Sequence, residues 1–357
     1  MDNELDWKCK RCASLPVISN EEGTVMFHCD VDLLQNKLYN TLSKMGLEPI
    51  KDGETLIIET KNFRQFLEIF STQPYSDIEQ EGIHVLFLKK GEALKFAALS
   101  NTKTLKKWLF LLNNSDFINI FENKSLTTYF QPILELNNMQ IKAYECLTRG
   151  VKADGSLMPP NLLFKLAIEN DLLFFLDRLC RENAIKTAAV KNINCDLFIN
   201  FVPTSIYVPQ TCLQTTLYWA QQFDFNPSSI VFEVVEAYKV EDLKHLKSIL
   251  DFYREKGFKT ALDDLGSGSA NLSTLVQLGT DIIKIDIEII RNIHNDSLKQ
   301  SIFEALVNIA QKNNIVVLAE GVETYEELEY VKGHGAKLAQ GFLFSKPLPE
   351  PIREIKI

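Results

Sequence analysis

The chain has 357 residues, 46% of them hydrophobic and 24% charged, with a formal net charge of −9. That length accommodates a barrel of about 250 residues plus one smaller domain, and the acidic balance argues against gripping long nucleic acid through its phosphates. No apolar run of about 18 residues occurs, so no membrane span is expected. The acidic start Met1-Asp2-Asn3-Glu4 does not read as a signal peptide, and an odd count of seven cysteines suggests free thiols in a reducing cytoplasm.

Residues 1–125 read as a small α+β domain. The pair Cys9 and Cys12 forms a CxxC, and with His28 and Cys29 it offers a four-ligand zinc set. The competing reading is free thiols, since a second CxxC is missing and adjacent His28 and Cys29 would face opposite sides of a strand. Thr55–Glu59 and His84–Leu88 read as strands, and Asn62–Phe70 and Lys103–Leu112 as helices, with no regular βα period. By analogy with domains attached to enzymes, the expected role is regulation or dimerisation. The polar stretch Glu122–Leu126 reads as the connection to a second domain, 126–357.

From Thr128 onward strand-like and helical patterns alternate. The strand-like runs are Tyr129–Leu136, Ile141–Leu147, Asp196–Phe201, Ile230–Val235, Thr260–Leu265, Ile282–Ile287, Ile315–Ala319 and Lys337–Phe342. Helical patterns cover Asn161–Glu169, Phe174–Lys191, Val240–Lys256, Ser297–Asn313 and Tyr325–Lys332. Such alternation predicts an α/β fold, a (β/α)8 barrel of parallel strands. An open doubly wound sheet would want a glycine-rich phosphate loop after its first strand, and none is present there.

Most of these runs end in a carboxylate or amide: Glu145, Asn200, Glu233, Asp263 with Asp264, Asp286, Glu320 and Gln340. A single acidic residue at a strand end is more often a helix cap or a solvated loop residue. Gathered at the C-terminal mouth of one barrel, oxygen donors of this kind suit hard divalent cations.

The motifs themselves are recognisable. Tyr144-Glu145-Cys146-Leu147-Thr148-Arg149, preceded by Gln131-Pro132-Ile133, resembles the signature of the EAL domains, the cyclic di-GMP phosphodiesterases. In order there follow Phe198-Ile199-Asn200, Phe232-Glu233-Val234-Val235-Glu236, Ala261-Leu262-Asp263-Asp264-Leu265-Gly266-Ser267-Gly268, Ile283-Lys284-Ile285-Asp286, Ala319-Glu320-Gly321-Val322-Glu323-Thr324 and Gln340-Gly341-Phe342-Leu343-Phe344-Ser345-Lys346-Pro347. The resemblance covers the whole second domain.

It implies metal-dependent hydrolysis of cyclic di-GMP to linear pGpG with two Mg²⁺ or Mn²⁺ ions per barrel. Glu145, Asn200, Glu233 and Asp263 would hold one ion, and Asp263, Asp264 and either Asp286 or Glu320 the second. Lys284 would contact the attacking water, with Glu320 as a candidate base; Gln131, Arg149 and Gln340 would meet substrate or water. Glu236 and Glu323 would brace the loop after the paired aspartates, 264–270. A homodimer formed through the barrel is also implied. The alternatives are a slow or inactive cyclic di-GMP receptor and an interaction protein that has lost nucleotide binding.

Several positions depart from the family pattern. Cys146 replaces Ala, Gly150 stands where Trp is frequent, Leu265 replaces Phe, Ser269 replaces Tyr and Asp171 replaces Gly. None of these changes removes an expected metal ligand.

Overall fold

The computed structural model describes residues 18–234, 242–266 and 272–355. They separate into two units that divide between Asn123 and Lys124.

The first unit is α+β. Its elements run β1 (Gly23–His28), α1 (Asp32–Lys44), β2 (Ile50–Asp52), β3 (Thr55–Thr60), α2 (Phe63–Ser71), α3 (Asp77–Glu81), β4 (His84–Lys89), α4 (Phe96–Leu99), β5 (Lys103–Thr104), α5 (Leu105–Asn113) and α6 (Ser115–Glu122). The strands form one antiparallel sheet in the order β2-β3-β1-β4-β5. Alternation along β1 sends Val25 and Phe27 into a core with Leu38, Leu42, Phe63, Phe66, Phe70 and Trp108 from the helices. Asn62 caps α2 by accepting from the Gln65 N–H, and Ser76 with Glu79 forms a capping box on α3. The helix expected over Lys103–Leu112 begins later than predicted. Lys103 and Thr104 pair with β4 as a strand, and Thr104 then caps α5.

The second unit is a closed barrel wrapped in helices. It comprises β6 (Leu126–Glu135), β7 (Gln140–Val151), β8 (Leu157–Met158), α7 (Pro160–Glu169), α8 (Leu173–Val190), β9 (Asp196–Phe201), α9 (Pro209–Cys212), α10 (Gln214–Gln222), β10 (Ile230–Val234), α11 (Leu243–Glu255), β11 (Lys259–Leu265), α12 (Leu272–Leu278), β12 (Ile282–Ile285), α13 (Ile287–Ile290), α14 (Ser297–Lys312), β13 (Val316–Ala319), α15 (Tyr325–Gly333) and β14 (Leu338–Ala339). The sheet order is β6-β14-β13-β12-β11-β10-β9-β7-β8, and β6 pairs with β7 to close an eight-stranded ring, leaving β8 outside.

One expectation needs correction: the barrel is not wholly parallel. β6 runs antiparallel to both β7 and β14. Only residues 136–139 join β6 to β7, which suffices for a hairpin, whereas a parallel crossover takes about a dozen or more residues. Two strands are also shorter than predicted. Asp286 ends β12 because its side chain accepts the Glu288 N–H and starts α13, and β14 is reduced to Leu338–Ala339.

The barrel interior contains one apolar layer built from one residue of every ring strand: Ile133, Ala143, Phe198, Val231, Ala261, Ile282, Leu318 and Leu338. This layer is a packed floor that blocks the barrel as a pore. A larger core with Phe201, Phe232, Tyr253 and Phe258 fills the space between strands and helices. Among the described residues no helix is long and apolar enough to cross a membrane.

Candidate active site

Strand side chains alternate with a period of two, so the next inward position lies one layer above the floor. Adding two to the floor residues of the parallel strands gives Glu145, Asn200, Glu233, Asp263, Lys284, Glu320 and Gln340. On antiparallel β6 the same layer is reached by subtracting two, which gives Gln131, and Gln131 is the register partner of Glu145. The polar residues of the motifs therefore form a single ring at the barrel mouth, resting on hydrocarbon.

The ring is tightly paired. Lys284, 1% exposed, places its Nζ 2.8 Å from Glu233 Oε1, 2.9 Å from Asp263 Oδ1, 2.8 Å from Glu320 Oε1 and 3.9 Å from Glu145 Oε1. Gln340 Nε2 donates to Glu145 Oε2 at 2.6 Å and to Gln131 Oε1 at 3.0 Å; Asn200 Nδ2 donates to Glu145 Oε1 at 3.1 Å; Gln131 Nε2 donates to the Ser345 carbonyl. Glu233 is fully buried, and neither carboxylate oxygen receives a well-directed hydrogen bond, the Lys284 contact being an ion pair alone.

Burial raises the Glu233 carboxyl well above the usual range, and the nearby charges of Glu145 and Asp263 push the same way against Lys284. Glu320 is raised likewise, by burial first and then by Asp263 and Glu145. Burial alone would lower Lys284, but Asp263, Glu145, Glu233 and Glu320 together hold it protonated, well above the ordinary lysine value.

Asp264 reaches the mouth by a different route. The β11–β12 register shifts between Leu262 and Leu265, and Asp264 adopts φ +54. Adjacent strand residues normally face opposite sides; a bulge of this kind turns two consecutive carboxylates the same way, and Asp tolerates the left-handed backbone better than most residues. Ligand oxygens of Asp263, Asp264 and Glu320 lie within 4.8 Å of one another. Burial, then the Asp263 charge, pushes Asp264 up to about 6.

Other expected site residues are placed differently. Asp286 lies outside the Asp263–Asp264–Glu320 group, and its Oδ1 is engaged as the cap of α13. Glu323 pairs with Arg291 at 3.1 Å. Glu236 and residues 267–270 of the loop lie outside the described residues, as do Cys9 and Cys12. Of the remaining members of the expected zinc set, Cys29 is 2% exposed and packs into the first unit's core, where burial pushes its thiol up to about 11, while His28 faces the opposite side.

Beside the ring, between β7, β9, α7 and α8, lies an apolar-walled cavity of about 220 Å³ lined by Arg149, Phe164, Asp177, Cys180, Asn200 and Val202 among others. The Arg149 guanidinium stacks over Tyr129 at 5.1 Å. Sequence reasoning misses Asp177. It is buried, takes an ion pair from buried Arg181, and accepts from the Val202 N–H at 2.8 Å and from Ser205 Oγ at 2.6 Å, so it secures the chain just after Asn200. The available signal was a lone acid inside the apolar run Leu172-Leu173-Phe174-Phe175-Leu176-Asp177.

The described carboxylate ring fits divalent cations. A fully buried glutamate whose one close cation is Lys284 Nζ, and which faces further carboxylates, is stabilised when divalent cations occupy its remaining lone pairs.

Comparison with known proteins agrees with this geometry. Residues 115–347 match the EAL domain family. Curated relatives include the cyclic di-GMP phosphodiesterase PdeR of Escherichia coli K12, 28% identical over 264 residues (73% of this chain, 40% of the relative). The probable cyclic di-GMP phosphodiesterase PdeB of the same organism is 30% identical over 237 residues (64% and 44%). The chain thus spans roughly two fifths of the length of these relatives. Among solved structures, a standalone EAL protein from Vibrio cholerae O395 in its c-di-GMP-bound form is 38% identical, with TM-score 0.59, covering 65% of this chain and 95% of that one. Klebsiella pneumoniae BlrP1 in a calcium/cy-diGMP complex is alike in fold over 94% of this chain and 98% of that one, with TM-score 0.59 and 22% identity.

Proposed function

The chain belongs to the EAL domain family, and from that membership we propose that it is a phosphodiesterase that adds water across one phosphodiester of cyclic di-GMP to give linear pGpG. The observation that carries this reading is the complete polar ring above the barrel floor, with Glu233 fully buried in it. Glu145, Asn200, Glu233 and Asp263 would hold one Mg²⁺ or Mn²⁺ ion, and Asp263, Asp264 and Glu320 a second. When bound, such ions offset phosphate charge and make a water acidic enough to attack near neutral pH.

The chain's own groups then position the reactants. Lys284 donates to the attacking water and orients it. Glu320, 2.8 Å from Lys284, is placed to take a proton from that water. Gln340 and Gln131 hold Glu145 in place through the hydrogen-bond chain to Ser345. Arg149, fixed over Tyr129, offers a planar fork to a phosphate oxygen or a guanine edge, and the adjoining apolar cavity suits a flat base.

The alternative is a receptor that binds cyclic di-GMP without turnover. The close ion pairs of Lys284 with Glu233, Asp263 and Glu320 favour it, because they occupy carboxylate oxygens that ions would otherwise take. Nucleotide binding measured by calorimetry in Ca²⁺, followed by exchange into Mn²⁺, separates the two. An enzyme converts the bound nucleotide after exchange; a receptor returns it intact.

A further inference from the structure

We propose that the first unit carries its own divalent transition-metal site, formed by His28, His84, Asp30 and Glu54. None of these residues belongs to the barrel, so the site stands or falls independently of the phosphodiesterase reading.

Alternation along β1 sends Val25 and Phe27 into the core and leaves Thr24, Met26 and His28 on the opposite face. His84 on β4 is the direct register partner of His28, so both imidazoles project from the same face. Their ring centroids are 6.5 Å apart. The chain after β1 turns so that Asp30 Oδ1 lies 2.9 Å from His28 Nε2. On the other flank, the Cys29 N–H donates to the Glu54 carbonyl, which holds Glu54 beside the end of β1. Ligand atoms of His28, Asp30 and Glu54 lie within 4.8 Å of one another.

Two features point to a cation rather than a surface ion pair. The first is the donor set: His28, Asp30 and Glu54 offer three gathered N/O donors, and His84, outside that group, supplies a fourth by turning its ring toward them. Two imidazoles with two carboxylates match the N/O ligands of four-coordinate zinc, and imidazole also suits copper and nickel, whereas Mg²⁺ and Ca²⁺ take oxygen. The second is charge. With neutral imidazoles the group carries two negative charges, and among the described residues neither Asp30 nor Glu54 has a lysine or arginine partner. A divalent cation bound between His28 Nε2 and Asp30 Oδ1, with the ring proton carried on His28 Nδ1, balances the group.

The test uses the full chain stripped of metal, and its side chains are exposed enough for substitutions to leave the fold intact, which near-UV circular dichroism checks. Zn²⁺ is titrated in competition with a chromogenic chelator, and Cu²⁺ is added for electron paramagnetic resonance. Among the Zn²⁺ equivalents bound by the full chain, we expect one whose affinity falls about tenfold or more in His28→Ala and in His84→Ala and is unchanged in Glu145→Ala, taking the loss of a ligand to cost at least as much as loss of an outer partner. Cu²⁺ should show coupling to two imidazole nitrogens, with one lost in each variant and both kept in Glu145→Ala. Unchanged nitrogen coupling in the His28→Ala/His84→Ala double variant, or a zinc isotherm that neither substitution alters, overturns the site and leaves His28–Asp30 a surface ion pair.

Discussion

At the scale of the residue, the ring makes separable predictions. Glu145→Ala or Asp263→Ala should abolish turnover with little loss of stability, because each side chain sits above the apolar floor and contributes little packing; product chromatography beside thermal unfolding checks both halves. Lys284→Met should lower kcat strongly with a modest change in nucleotide affinity, as for a group acting on the water. It should also cost stability, since Glu233, Asp263 and Glu320 lose their shared cation. Full recovery of kcat at raised Mn²⁺ would refute the water contact. Asp264 gives a pH test. Its folded value of about 6 lies above the usual aspartate value of about 4, so between those pH values the metal-free folded state binds more protons than the unfolded chain and loses stability as pH rises. Asp264→Asn should flatten that window and stabilise the metal-free protein near pH 7 by about 1 kcal/mol, a figure reduced because Asp264 is only half buried. Thermal melts in EDTA from pH 4 to 8 read it. Most ring residues were legible in the sequence because a polar residue closes an apolar strand-like run, whereas Gln131 and Lys284, which lie within their strands, were placed by the family resemblance. Asp177 was not, because a buried acid on a helix has the same local signature as a surface one until its partners Val202, Ser205 and Arg181 are seen.

At the scale of the element, the end of β14 is the tightest joint. A Cβ on Gly341 would lie 2.0 Å from the Val322 carbonyl oxygen and 2.3 Å from its nitrogen. Gly341→Ala should therefore force the backbone apart, costing about 1–3 kcal/mol, and shift Gln340 away from Glu145 and Gln131. A lowered melting temperature together with a reduced rate is the expected pair of results; a full rate would mean Gln340 is not needed to hold Glu145. Strand positions in the barrel were readable from their apolar runs, yet the direction of β6 was missed. Direction depends on connection length, and the clue was the short Leu136-Asn137-Asn138-Met139 link, with Met139 at φ +58. The β11 bulge was equally hidden. Two adjacent aspartates read the same on a regular strand, and the register shift against β12 comes from the neighbouring strand. In the first unit, β1 escaped the sequence reading, since Gly23-Thr24-Val25-Met26-Phe27-His28 alternates weakly.

At the scale of the whole molecule, we expect a barrel that folds on its own and a first unit that modulates it. The barrel closes without any strand from residues before Leu126. A chain lacking residues 1–120 should remain folded by circular dichroism and change either kcat or subunit count by light scattering. If the barrel pairs, helix α12, which follows the paired aspartates and exposes Val276 at 83%, is where Val276→Asp should lower the subunit count by light scattering. An unchanged rate together with an unchanged subunit count would leave the first unit without that regulatory role. The central claim, that the carboxylate ring is a metal-dependent phosphodiesterase centre, meets its most direct test in one measurement. Purified full chain is incubated with cyclic di-GMP, with Mg²⁺ or Mn²⁺ and separately with EDTA, and the nucleotides are resolved by chromatography. The account predicts conversion to pGpG with either cation, none in EDTA, and none in Glu145→Ala. Intact cyclic di-GMP in every wild-type reaction, or equal hydrolysis with EDTA present, would contradict it.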